Sequence, residues 1–108
     1  MSTLEAELKR ATAQDVNLSD ESLTVDLEDG RTIVVPTSWF PRLMKGSKAE
    51  RANFRFIGKG TGIHWPDLDE DISIESLLAG RGSGETQASL QLWLARREPK
   101  PPSGVGSA

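Results

Sequence analysis

Residues 23–35 read Leu23-Thr24-Val25-Asp26-Leu27-Glu28-Asp29-Gly30-Arg31-Thr32-Ile33-Val34-Val35, and the way this stretch pairs with itself decides the fold. Leu23, Val25 and Leu27 alternate with polar residues, the period of a strand with one buried face. Asp29-Gly30 marks the turn. A two-residue turn would pair Val25 with Val34 and Asp26 with Ile33, mixing polar and apolar side chains on one face. A three-residue loop, Glu28-Asp29-Gly30, instead pairs Leu27 with Arg31, Val25 with Ile33 and Leu23 with Val35. All the apolar residues then share a face. A slip of one residue would turn every side chain to the other side, so the second register is the predicted one. It places Gly30 in the left-handed region as a bulge glycine. Residues 15–18 read as a preceding strand, paired with 22–28 across the turn Ser19-Asp20-Glu21.

Downstream, Pro36 lacks an amide donor and ends the strand. Thr37 or Ser38 is placed to cap a helix whose face carries Trp39, Phe40, Leu43 and Met44, with Pro41 in its first turn. Gly46 stops it, and Ser47 with Glu50 has capping-box spacing for another turn. Phe54-Arg55-Phe56-Ile57 alternates as a strand, Gly58 to Gly62 turns, and Ile63-His64-Trp65 is a short strand stopped by Pro66. Ile72, Ile74, Leu77 and Leu78 make a strand end and a short helix closed by Gly80. Arg81 to Glu85 has linker composition. Residues 86–97 read as a helix with Leu90, Trp93 and Leu94 on one face, capped by Thr86 or Ser83. At the other end, Ser2 and Glu5 have capping-box spacing, and Leu4, Leu8 and Ala11 form a narrow helical stripe that breaks near Gln14. The predicted organisation is a helical extension over 1–14, an α+β core over 15–80, a linker and C-terminal helix over 81–97, and a Pro/Gly/Ser-rich disordered tail over 98–108. The fold class is α+β: one small domain with an antiparallel sheet of four or five strands, short helices on one face, and a C-terminal helix.

With 108 residues there is room for one domain. Thirteen basic and 16 acidic residues give a net charge of −3, against the basic excess usual in a nucleic-acid binder. Cysteine is absent, which removes disulfides, thiolate metal sites and a cysteine nucleophile, and fits a reducing cytoplasm. No apolar run reaches the roughly 20 residues that cross a bilayer, and Met1 leads into a polar segment unlike a secretory signal. The expected location is cytoplasmic, with no membrane association.

Several strings are recognisable together: Asp29-Gly30-Arg31-Thr32-Ile33, Pro36-Thr37-Ser38-Trp39-Phe40-Pro41-Arg42-Leu43, Glu50-Arg51-Ala52-Asn53, and Gly60-Thr61-Gly62-Ile63-His64-Trp65-Pro66-Asp67-Leu68-Asp69-Glu70-Asp71-Ile72-Ser73. With their spacing, the chain resembles the DUF2442 family of small, mostly bacterial proteins of unknown function, over residues 12–80. The segment Ser83 to Ser89 resembles one branch of it. The resemblance implies a small α+β domain with an antiparallel sheet. Some relatives add a helix-turn-helix domain, for which too few residues follow Gly80 here. Relatives are suspected of antitoxin-like work beside another small protein. No catalytic residues are established for the family, so none is carried over.

Four acids stand within five residues at Asp67, Asp69, Glu70 and Asp71. As a calcium loop the stretch fails, with Ile72 where glycine belongs and Leu78 where the twelfth-position glutamate belongs. A looser divalent-metal or small-ligand site would use His64, Asp67, Asp69 and Asp71. The structural alternative is turn-holding and capping, with Arg42 or Arg51 answering the repulsion. His64 is the only candidate general base, but no G-x-S-x-G or other nucleophile motif accompanies it. Gly58, Gly60 and Gly62 lack the spacing of a phosphate loop. The basic residues Arg96, Arg97 and Lys100 read as a solvated helix end suited to the dipole. Trp39, Arg42, Arg51 and Trp65 are the candidate partner-binding residues, since Trp and Arg dominate binding hot spots. Trp39 is also a core candidate, and Trp93 either docks on the sheet or meets a partner.

These readings lead to a non-enzymatic protein-interaction module, antitoxin-like or regulatory, with another small protein as partner and no cofactor. Homodimerisation through the edge at 31–35 is a further possibility, shortened by Pro36. The alternatives are the metal or ligand site and a DNA-associated regulator, with direct nucleic-acid contact disfavoured by charge.

Overall fold

The computed structural model describes residues 11–97. The stripe at Leu4 and Leu8 and the tail 98–108 lie outside the described residues. The chain forms strand β1 (Ala13–Leu18), β2 (Ser22–Leu27) and β3 (Thr32–Pro36), then a 3-10 turn (Thr37–Trp39) and helices α1 (Pro41–Met44) and α2 (Lys48–Ala52). Strand β4 (Arg55–Ile57), a 3-10 turn (Gly58–Gly60), β5 (Gly62–Trp65) and β6 (Glu70–Ser73) follow, with helices α3 (Ile74–Leu78) and α4 (Gln87–Arg97).

The hairpin has the predicted register: Leu23 pairs with Val35 and Val25 with Ile33. Leu27 N donates to Arg31 O at 2.8 Å, and Gly30 has φ of +98°. The slip-sensitive choice of face is visible in the result, because Leu23, Val25 and Leu27 are all buried. Asp29 accepts from the Arg31 backbone and guanidinium, which closes the loop. β1 pairs with β2 across the Ser19–Glu21 turn, with a bulge between Ala13 and Asp15. Because the strand begins at Ala13, the helical reading of residues 13 and 14 is corrected: a sheet ladder takes their backbone.

A larger correction concerns the sheet. In place of four or five strands in one sheet, the described residues form six strands in two three-stranded antiparallel sheets, β1-β2-β3 and β4-β5-β6. Pro36 and the helical turns through Ala52 interrupt the chain, so each half closes as its own meander. The strand end read at Ile72 is the second half of β6; its start was missed because Glu70 occupies an inward position where alternation calls for an apolar residue. Glu70 pairs with Trp65 and Ile72 with Ile63, and all four are buried.

The expected single helix carrying Trp39 through Met44 is also broken. Phe40 adopts φ −127° and ψ 87° between the 3-10 turn and α1. Phe40 and Leu43 are buried, while Trp39 and Met44 reach the surface. Thr37 does not cap a helix. Its hydroxyl donates to Ser19 O at 2.9 Å and its amide to Glu21 O, fastening the interrupting segment to the first hairpin. The Ser47–Glu50 capping box forms as predicted. Thr86 caps α4, accepting from Ser89 N at 3.1 Å. One core gathers Leu23, Val25, Leu27, Leu43, Ile63, Trp65, Leu68 and Ile74 with Leu90 and Trp93 of α4. Burial of each such aliphatic side chain contributes about 1.5–3 kcal/mol.

Candidate functional site

Arg42 is spent inside the molecule. Its Nε and Nη2 donate to the two oxygens of Glu85 at 2.8 and 2.9 Å, a bidentate pair. Nη1 donates to the carbonyl and carboxylate of Asp69 at 3.0 and 3.1 Å. The Trp93 ring takes two cations, the Arg42 guanidinium at 5.0 Å and that of Arg97 at 4.6 Å from its centroid. Arg97 also donates to Glu50 at 2.9 Å and to Asp67 O. The expectation of a solvated helix end therefore fails at Arg97, which pins α4 to α2 and to the β5–β6 turn. The side chain of Glu85 is held well below its usual carboxylate range by the Arg42 bonds, and Glu50 by Arg97.

Beside this cluster sits Glu70, only 9% exposed. Burial pushes its pKa up to about 7. Arg42 pulls it down, while Glu85, Asp71 and Asp69 push it further up. Its strand position explains the burial: the backbone alternation that exposes Asp71 turns Glu70 inward beside Trp65.

The acids of the turn disperse. Asp67 accepts from Asn53 Nδ2 at 2.9 Å, Asp69 is held by Arg42, and Asp71 meets Nδ1 of His64. Among the described residues no group of three or more His, Asp or Glu side chains converges on a point where a metal ion would sit. The His64–Asp71–Asp67–Asp69 metal reading is thus corrected: strand alternation and the left-handed Asp69, at φ +54°, aim the side chains at different partners. His64 faces outward from the second sheet, in a cross-strand row with Arg55 on one side and Asp71 on the other.

Two of the aromatic and basic candidates are also structural. Trp65 is fully buried, with Nε1 donating to Arg51 O at 3.0 Å, so it is no partner contact. Arg51 donates to the carbonyls of Leu43 and Met44, satisfying the end of α1, and to Asp20 at 2.5 Å. That contact holds the Asp20 carboxyl below its usual range. Trp39 is 37% exposed, and its carbonyl accepts from Ser83 N, so the linker folds back over it. Trp93 docks on the core.

The surface left unused lies elsewhere. β4 is an outer strand of its sheet, and all three of its residues are exposed. Phe56 is 38% and Ile57 39% exposed. Phe54 packs edge-on against Phe56, with centroids 5.7 Å apart, and lies 6.1 Å from Trp65. Phe54 also lines a groove of about 660 Å³ between β1, at Val16 and Leu18, and α2, at Ala49 and Ala52, with Asp20, Lys48 and Arg51 on its rim. Sequence reasoning found the strand and missed its position, since nothing local distinguishes an edge strand from an interior one. The one available signal was charge: between Arg51 and Pro66 there is no acid.

The family described as "Protein of unknown function (DUF2442)" matches residues 13–83. A protein of unknown function from Rhodospirillum rubrum, known from a crystal structure, is 31% identical, with 73% of this chain and 95% of that one covered and a TM-score of 0.59. An uncharacterised protein of Chromobacterium violaceum, solved by solution NMR, shares the fold at 18% identity, with 83% and 90% covered and a TM-score of 0.60. No curated protein matches the chain at a significant level. Among the described residues no helix is long and apolar enough to cross a membrane.

Proposed function

The chain belongs to the DUF2442 family, and from its own geometry we propose that it acts as a non-enzymatic interaction module, an antitoxin-like or regulatory partner of another small protein. The observation that carries this reading is the β4 edge, where Phe56 and Ile57 stand exposed on a strand with no neighbour on its outer side among the described residues. Isolated exposed apolar residues such as Val34 and Leu92 are ordinary, but Phe54 and Phe56 pack together at this edge, Ile57 stands on its other face, and Phe54 also lines the groove between β1 and α2. An open sheet edge invites pairing with another chain. The contact surface is therefore β4, in place of Trp39, Arg42, Arg51 and Trp65.

A photo-crosslinking amino acid at Phe56 tests the reading in the native host, with the same probe at Leu92 as an exposed control. A small protein captured in constant ratio from Phe56 and not from Leu92 is the expected result. Equal capture from both positions, or none, removes the proposal.

A further inference from the structure

The β4 edge is cationic as well as apolar in a chain whose net charge is −3. The segment from Arg51 to Pro66 holds Arg51, Arg55 and Lys59 and no acid. Arg51 is committed to Asp20 and the α1 carbonyls. Arg55 and Lys59 make no ion pair among the described residues, whereas Lys48, on the adjoining groove, faces Asp20 and helps hold its carboxyl low. The nearest acid across the sheet, Asp71, is taken by His64. Arg55 in β4 and Lys59 just beyond its end are thus the cations of this edge, with Ile57 on the Arg55 face of the strand and Phe54 and Phe56 on the other.

Building on the interaction reading, we infer that this edge receives an extended, acidic segment of a partner protein, paired as an added strand along β4. Backbone hydrogen bonds to an added strand supply affinity without regard to sequence, and alternate side chains supply selectivity. Here one set of partner side chains meets Phe54 and Phe56, and the other meets Arg55. Carboxylates on that second set would neutralise Arg55 and Lys59. A second copy of this chain fits poorly. Antiparallel pairing of β4 with itself would gather Arg55 and Lys59 of both copies on one short edge, and like charges across a ladder are destabilising.

The test uses the full chain, isotopically labelled, with three probes: a nine-residue peptide alternating valine with glutamate, the same peptide with lysine for glutamate, and a uridine dodecamer RNA. The glutamate peptide is expected to shift the amides of residues 54–59 and to bind at least tenfold more tightly than the lysine peptide. Arg55→Glu and, separately, Lys59→Glu should each weaken it severalfold while leaving amides outside 54–64 in place. Silence of the glutamate peptide overturns the inference and leaves the cations as guards against edge pairing. Equal binding of the lysine peptide, or binding of the RNA alone, also overturns it. A partner crosslinked from Phe56 alongside a silent glutamate peptide would preserve the interaction module and remove only the acidic strand.

Discussion

Glu70 lies directly opposite Trp65 in the β5–β6 ladder, so a carboxyl group shares the buried face of its sheet with the largest side chain of the core. The arrangement is costly for a charge and cheap for a neutral acid.

Stability should therefore fall as pH rises toward neutrality. The Glu70 pKa is about 7 in the folded chain against an ordinary 4.5. Below 4.5 both folded and unfolded chains carry the proton. Between 4.5 and 7 only the folded chain keeps it, so ionisation progressively favours unfolding, and above 7 the loss is complete. At about 1.4 kcal/mol per unit, the full effect is at most about 3.5 kcal/mol. Glu85 and Glu50, held low, act oppositely and lose their contribution as pH falls through their folded values. Glu70→Gln isolates the first effect. Urea midpoints at pH 4.5, 6 and 8 should show the variant gaining on the parent as pH rises. A constant difference would contradict the assignment.

Arg42→Met should cost about 3 kcal/mol, the range for breaking a largely buried pair and leaving its partner behind. It removes the bidentate bonds to Glu85, the bonds to Asp69 and one cation from Trp93. It also removes the group that pulls Glu70 down, so the Glu70 carboxyl carbon, followed by NMR, should titrate above its parent value. A titration left unmoved would show that Arg42 does not sense Glu70.

Two glycines separate backbone strain from crowding. Gly30 has φ of +98° with open space around a would-be Cβ, so Gly30→Ala should cost about 1–2 kcal/mol from strain alone. Gly60 has φ of +94°, and its Cβ would lie 3.1 Å from Thr12 Cβ and 3.3 Å from Ala13 O. Gly60→Ala should therefore be the more damaging, by about 1 kcal/mol or more. Thermal denaturation of the pair reads the order.

Ser47→Ala should lower stability by about 1 kcal/mol, since it leaves Glu50 N without its cap. The same Glu50 oxygen accepts from Ser47 N and from Arg97. Hydrogen exchange should consequently quicken at the C-terminal end of α4 as well as in α2. An effect confined to α2 would show that the two contacts are independent.

Much of the local structure was legible because its causes are local. The alternation at Leu23, Val25 and Leu27 specified a face, and with Asp29-Gly30 it specified a register. Ser47 and Glu50 specified a cap, and Leu90 and Trp93 the inner face of α4. For the acidic turn the structural reading, with Arg42 answering Asp69, stood beside a ligand cluster, and the two stayed open because spacing along the chain does not tell where alternate side chains point. Among the proposed hot-spot residues Trp65 is buried while Trp39 reaches the surface: composition favours Trp and Arg at interfaces and in cores alike, and only packing separates the two.

By itself, then, the sequence determined the hairpin register, the strands around Val16, Phe56 and Ile63, the Ser47–Glu50 cap, the C-terminal helix, and the absence of cysteine chemistry. These follow from side-chain period, backbone permissiveness and covalent inventory, which need no distant neighbour. Tertiary structure alone decided that the strands divide into two sheets and that Arg42 closes on Glu85 across 43 residues. It also decided that Glu70 is buried and that β4 stands at an edge. Each of these depends on which remote segment arrives alongside, and that is settled by packing the whole chain around one core.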